Sequence, residues 1–256
     1  MSALSQIAKD PSCILAVDAL QGGRWLSCIK PDGVQPSAPS GEGTWEERTR
    51  LLTLTNITTA GGVFRAADDA KVAGIATPLD FRGNTTSKTF IVRAFCPAHD
   101  PDSGKLYIHP LLGQGQIGYG NAYSVFSLAI WEDFRTAGNP KIMLVGRIEG
   151  ENSSVGNYAF PENALDSWHV FSMIVDYDSS PGNMILSRYI DRILLNTETV
   201  AAQNFGSGAA SSMSEHVGIR EDPVITWLAD TRVAAALIFD RALTQPEIAA
   251  LSYAVV

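Results

Sequence analysis

The sequence predicts an all-β fold, an antiparallel β-sandwich closed by one short C-terminal helix, and three observations predict it. Short runs of β-branched, aromatic and small residues recur along the 256-residue chain, separated by Gly, Pro, Asn or Asp. The 22 Gly and 13 Pro supply the turn chemistry that many short strands need. The last apolar run, Val233 to Phe239, switches from strand to helix spacing a few residues before the sequence ends. At this length a single core suffices, so one domain over residues 1–256 is expected.

In chain order, the strand-like runs are Cys13 to Val17, Trp25 to Ile29, Leu51 to Thr55, Thr89 to Phe95 and Leu106 to His109. They continue with Tyr123 to Trp131, Lys141 to Ile148, His169 to Asp176, Met184 to Ile190 and Val233 to Phe239. Between the second and third, residues 30–47 are rich in Pro, Gly and Ser and have no period, which predicts an irregular loop or arm able to reach a neighbour. Asp178 to Asn183 contains Pro181-Gly182 and suits a hairpin loop between antiparallel strands. After Val233 to Phe239, the charged pair Asp240-Arg241 ends the strand. Thr244 then stands three residues before Glu247, the spacing at which side chains satisfy the free N–H groups of a helix start, and Pro246 sits in the first turn, where it loses no hydrogen bond. Leu243, Ile248 and Leu251 give this helix one apolar face, so it is expected to fold back as a lid over the end of a sheet.

A net charge of −8, a pI near 5.0 and the lack of a Lys/Arg cluster exclude a nucleic-acid surface. Cys13, Cys28 and Cys96 are odd in number and form no Cys-x-x-Cys pair, which predicts buried free thiols rather than disulfides or a zinc site. With no secretion leader and no apolar run near 18 residues, the expectation is a soluble protein made in a cytoplasm, without membrane insertion. Gly113 to Gly118, GQGQIG, has the glycine spacing of a dinucleotide loop, but strands rather than a helix follow it, so it reads as a turn-rich connection. Just beyond it, Tyr119, Asn121 and Tyr123 place aromatics beside an amide, the side chains that stack on a sugar face and hydrogen-bond its hydroxyls. They are the candidate glycan-binding residues. The four histidines, His99, His109, His169 and His216, are not accompanied by the Gly-x-Ser-x-Gly elbow of a serine hydrolase.

Four segments taken in order carry a resemblance: SWHVFSMIVDY (Ser167 to Tyr177), NMILSRYIDRILLNTET (Asn183 to Thr199), EHVGIRED (Glu215 to Asp222) and DTRVAAALIFDRALTQPEIAAL (Asp230 to Leu251). Together they resemble the concanavalin A-like superfamily, in particular its laminin-G-like and pentraxin-like jelly rolls. Trp168, His169, Asp191, Gly218, Arg241, Ala242, Leu243, Glu247, Ile248 and Leu251 fall on that pattern, while Arg192 stands where a Gly is usual. SKTFIVRAFCPAHD (Ser87 to Asp100) is similar to the strand that opens the core of these domains, so the best-matching core spans residues 87–251.

The resemblance implies that the last strand returns beside the first and that most motif residues are architectural. Trp168 and Leu243 are expected in the core, and His169 as a hydrogen-bonded strand residue. Glycoside hydrolases of the superfamily carry Glu-x-Asp-x-x-Glu on one strand; here Glu132-Asp133 and Glu149 with Glu151 lack the third acid and read as solvated loops, and no catalytic residue is assigned. Calcium is common in the resembling families, and Asp68-Asp69, Asp100-x-Asp102 and Asp176-x-Asp178 offer oxygens, but none completes a ligand set, so no cofactor is assigned. The expected function is a non-catalytic structural or binding jelly roll, foremost a bacteriophage virion component (a capsid decoration or tail- or fibre-associated protein) that assembles with other virion proteins or with itself and attaches to cell-surface glycans. A free carbohydrate-binding lectin is the alternative, and a glycoside hydrolase or lyase the third.

Overall fold

A computed structural model describes residues 6–7, 9–19, 24–29, 46–51, 53–55, 57–66, 72–76, 81, 83–115, 124–137, 139, 141–148, 164–179, 182–202, 205, 217–218, 225–227 and 231–254. The strands are β1 (Cys13–Asp18), β2 (Arg24–Ile29), β3 (Glu46–Leu51), β4 (Thr53–Thr55), β5 (Ile57–Thr58), β6 (Arg65–Ala66), β7 (Val72–Ala76) and β8 (Lys88–Phe95). Then come β9 (Leu106–Gly115), β10 (Ser124–Asp133), β11 (Lys141–Ile148), β12 (Trp168–Asp176), β13 (Asn183–Ile190), β14 (Ile193–Ala201), β15 (Val217–Gly218), β16 (Ile225–Trp227) and β17 (Arg232–Phe239). The helix α1 spans Gln245–Ala254.

An eight-stranded sheet in the order β14-β13-β12-β8-β17-β1-β2-β3 faces a four-stranded sheet in the order β11-β10-β9-β16. All pairings in the large sheet are antiparallel, while β16 joins β9 in parallel. Smaller sheets, β15-β7-β4 and β5-β6, flank the sandwich. As expected, the last strand lies beside the first, with β17 between β8 and β1.

Alternation along each strand divides apolar side chains between two faces. Phe90, Val92 and Phe171 of the large sheet meet Phe126, Leu128, Ile130 and Leu144 of the small one. The phenyl rings of Phe90 and Phe126 stack at 4.2 Å, and Phe81 and Phe205 close around them. The two layers come close at Gly146, where a Cβ would lie 2.5 Å from Met173 Sδ and 3.2 Å from Arg188 Nε. Buried Arg188 reaches across and donates from Nη2 to the Gly146 carbonyl at 3.0 Å.

On the outer face of the large sheet, Ile91, Leu237, Phe239 and Val170 pack with Leu243 and Ile248. The helix therefore covers a face of the sheet rather than its open end. Near its start the Leu243 N–H donates to Thr89 Oγ1 (3.0 Å), and near its end Ser252 Oγ donates to the Asp191 carbonyl at the far end of the same sheet. The expected cap is present in altered form: Glu247 accepts from the Thr244 N–H (2.7 Å) and hydroxyl (2.8 Å). Glu247 also receives a two-pronged Arg241 guanidinium at 2.7 and 3.1 Å, an arrangement that the spacing did not reveal.

Other expectations shift in detail. Leu51 to Thr55 divides between β3 and β4, which belong to different sheets. At the end of the expected arm, Glu47 and Glu46 are in β3 and pair with Cys28 and Ile29, while residues 30–45 lie outside the described residues. Cys13 and Cys96 are buried, and burial pushes the Cys96 thiol far up. No described helix is long and apolar enough to cross a membrane.

Candidate functional site

One end of the sandwich gathers the chemically distinctive side chains. There β8 runs into the Cys96–Asp100 connection, β12 begins, the β13–β14 hairpin turns and β17 starts. The Asp166 N–H donates to the Cys96 carbonyl (2.9 Å), and the Ala98 N–H donates to Asp166 Oδ1 (3.0 Å), so the segments around residues 97 and 166 are tied together.

The deepest group is His99, His109 and Glu132. On β10, period-two alternation carries the inward direction of Leu128 and Ile130 on to Glu132, and the register sets His109 on β9 opposite Ile130. Glu132 Oε2 lies 2.7 Å from His99 Nδ1 and 2.8 Å from His109 Nε2, and Oε1 accepts from the His99 N–H at 3.2 Å. The other ring nitrogen of His109, Nδ1, is 3.1 Å from Thr231 Oγ1. His109 and Glu132 are fully buried, His99 is partly open, and the Tyr107 ring stacks on His99 at 4.2 Å. Burial acts against the Glu132 charge, but the hydrogen bonds from His109 and His99 outweigh it and hold the carboxyl at about 2. Burial lowers His109, which is a neutral hydrogen-bonding imidazole at pH 7. The expected solvated loop at Glu132-Asp133 is thus corrected: Glu132 belongs to a strand and faces inward, and Asp133 holds Arg135 at 2.6 and 2.8 Å. Inward alternation was the signal available for Glu132 and His109; nothing local marked His99 as their partner.

A second chain runs Ser167 Oγ to His169 Nε2 (2.7 Å) and His169 Nδ1 to Asp191 Oδ2 (2.9 Å). This is the order of groups that activates a serine nucleophile. The same contacts also build the hairpin. Asp191 occupies the left-handed region (φ 56°), accepts the Val170 N–H on Oδ1 (3.0 Å) and donates its own N–H to the Val170 carbonyl (2.6 Å). His169 is therefore hydrogen-bonded in its strand, as expected.

Trp168 departs from expectation. It is 38% exposed on the outer face, not in the core, in a strand whose residues from Val170 to Val175 are buried. Its cross-strand partner is Phe95, and the partner of Phe95 on the other side is Arg232, so the three form a row across β12, β8 and β17. The Arg93 guanidinium lies 5.2 Å from the Trp168 ring centroid, and that of Arg232 lies 5.1 Å from Phe95. At the nearby hairpin Ile193 is exposed, and Arg192 stacks on Tyr253 at 4.6 Å. Sequence reasoning missed this row because Trp defaults to burial.

Tyr119, Asn121, Tyr123, Asp68, Asp69, Glu149 and Glu151 lie outside the described residues. Asp100 Oδ1 accepts the Asp102 N–H at 2.9 Å and caps a short turn. Asp176 Oδ1 accepts the N–H groups of Asp178 (2.9 Å) and Ser179 (3.1 Å), so its oxygens shape the hairpin.

No protein-family model matches the sequence, and a search of curated proteins finds no match. Solved structures do resemble the fold. A mutant of HCR D/C VPI 5995 aligns with 97% of this chain at a TM-score of 0.51 and 12% identity. The binding domain of botulinum neurotoxin DC in complex with rat synaptotagmin II aligns with 97% at 0.50 and 12%. A Trypanosoma rangeli sialidase aligns with 94% at 0.47 and 14%. The chain spans 53%, 52% and 32% of these structures in turn, about half the length of the first two. At this identity the likeness is one of fold, a β-sandwich.

Proposed function

We propose that this protein is a non-catalytic binding β-sandwich that docks onto a protein partner through the outer-face row of Trp168, Phe95 and Arg232 with Arg93. The observation that carries the reading is the exposure of Trp168 beside a buried strand. Trp, Phe and Arg are the side chains that protein interfaces favour, and a tryptophan held in place by a stacked guanidinium loses little conformational freedom on binding. The fold is compatible with such a role, since a structure that it resembles is a binding domain in complex with rat synaptotagmin II. Ser167, His169 and Asp191 act in this reading as the fastening of the hairpin that borders the row. The narrower form of the proposal, a bacteriophage virion component, rests on the resemblance and on the arm expected at residues 30–47.

The test is peptide mass spectrometry of gradient-purified particles carrying the wild-type chain or Trp168→Ala. The reading expects the wild type at a reproducible copy number and the folded variant depleted at least about tenfold, the effect of losing an interface anchor worth over 1 kcal/mol. Equal incorporation of the variant would refute it. A glycan ligand is the second reading, favoured by two arginines beside an exposed aromatic in an acidic protein; binding of carboxylated or sulfated saccharides on a glycan array, lost in Trp168→Ala, would put it first.

A further inference from the structure

We infer that His99, His109 and Glu132 form a binding site for a divalent transition-metal ion, with zinc the best match. The inference is independent of the docking row and adds a ligand class to this end of the sandwich.

The donor set is two imidazole nitrogens and one carboxylate oxygen, all within 4.8 Å of one another. Three such ligands with a fourth position left open are what zinc takes in its non-structural sites, whereas calcium prefers an all-oxygen shell. Metal bonds of about 2.0 Å in a tetrahedron place neighbouring donor atoms roughly 3.3 Å apart. The contacts at 2.7 and 2.8 Å then open by about half an ångström, and the widest pair closes from at most 4.8 Å by about 1.5 Å. His99 supplies that movement, because it lies in the β8–β9 connection and is 20% exposed, which also gives the ion a way in.

The surroundings suit the ion. Glu132 is a fully buried acid, and a divalent cation compensates its charge more fully than two imidazole N–H donors do. Thr231 is positioned for either state of His109. Without metal, its hydroxyl donates to Nδ1 while Nε2–H faces Glu132; with metal on Nε2, it accepts from Nδ1–H and fixes the ring, as outer partners of ligating histidines do. His109 stays a neutral imidazole on binding, its single proton passing from Nε2 to Nδ1 as the tautomer changes, and His99 binds through Nδ1 as the Nε2–H tautomer; no redox step is involved.

The test uses the full chain, stripped with a chelator, titrated with Zn²⁺ by calorimetry and with Co²⁺ by visible absorption. The inference expects one ion per chain, cobalt bands of a nitrogen- and oxygen-ligated tetrahedral site, and a higher melting temperature with Zn²⁺. Thr231→Val is expected to weaken binding by roughly 10- to 100-fold, the usual range for an outer partner, and His99→Ala by more. Because Glu132 is fully buried, His99→Ala is the decisive variant: its side chain is on a partly open connection and its loss leaves the sheets intact. Absence of Zn²⁺ and Co²⁺ binding at micromolar concentration, or wild-type affinity in His99→Ala, would overturn the inference. Trp168→Ala is expected to bind metal normally, so failure here leaves the docking proposal standing, and the reverse.

Discussion

Replacing Leu243 with alanine probes the join between α1 and the large sheet. Leu243 is 5% exposed, packs in the cluster that includes Ile248, Phe239 and Ile91, and is held from its backbone by Thr89, which the substitution leaves in place. The change removes three carbon groups. At about 0.8 kcal/mol each, transfer alone costs about 2.4 kcal/mol, and an incompletely collapsed cavity raises the loss to about 3–4 kcal/mol. For a chain of this size that corresponds to a fall in Tm of roughly 6–15 °C. Urea denaturation followed by far-UV circular dichroism measures it, and an unchanged m-value identifies the loss as one of packing rather than a change in the unfolded state. Leu243→Asp is expected to lose more, because it buries an unpaired carboxylate. A Tm within a degree of wild type for Leu243→Ala would refute the placement of this side chain beneath the helix.

Two further outcomes are expected. The Arg241 guanidinium, against some opposition from burial and with help from the Thr244 N–H and hydroxyl, holds Glu247 at about 2, below its ordinary 4.5. Its stabilising contribution is therefore complete above pH 4.5 and lost as pH falls toward 2, so the stability gap between wild type and Glu247→Gln is expected to narrow over that window, and to shrink with salt because the pair is partly exposed. A gap independent of pH would sink this account. A fluorophosphonate probe is expected to leave Ser167 unmodified at neutral pH; labelling that disappears in Ser167→Ala, detected by intact-protein mass spectrometry, would reopen a hydrolase reading.

Strands with long apolar runs were legible, whether inside a sheet like β17 or at the edge of the small sheet like β11. Lys141–Ile148 was read to the residue, and Val233 to Phe239 to within one. The two edges of the large sheet were not. β3 reads EERTRL, and β14 reads ILLNTETVA with its first two residues exposed, so neither has the composition of a buried strand; charge and polarity are what protect a sheet edge. The helix start was legible from Thr244 and Glu247, but not Arg241 as the partner of Glu247, since Arg241 lies outside the helix and reaches back to it. The histidine–glutamate cluster joins positions 99, 109 and 132 through strand register, which no local window contains. Trp168 was misplaced for a related reason: local pattern reports that a strand has two faces, not where the covering helix leaves one of them bare.

The place of β17 between β8 and β1 has a consequence for how the molecule is made. Two parts of the large sheet, β1-β2-β3 and β8-β12-β13-β14, are each connected by neighbouring strands, and among the described residues only β17 links them, pairing Phe239 with Cys13 on one side and with Thr89 on the other. A chain synthesised from its N-terminus must therefore hold two half-sheets with bare apolar edges until residue 239 has left the ribosome. Closure is then a late event of long sequence separation, slow for a chain of this size and exposed to aggregation while it waits. Productive folding depends on how soon β17 follows the two half-sheets, and a chain cut just before β17 yields two sticky halves rather than a smaller working domain.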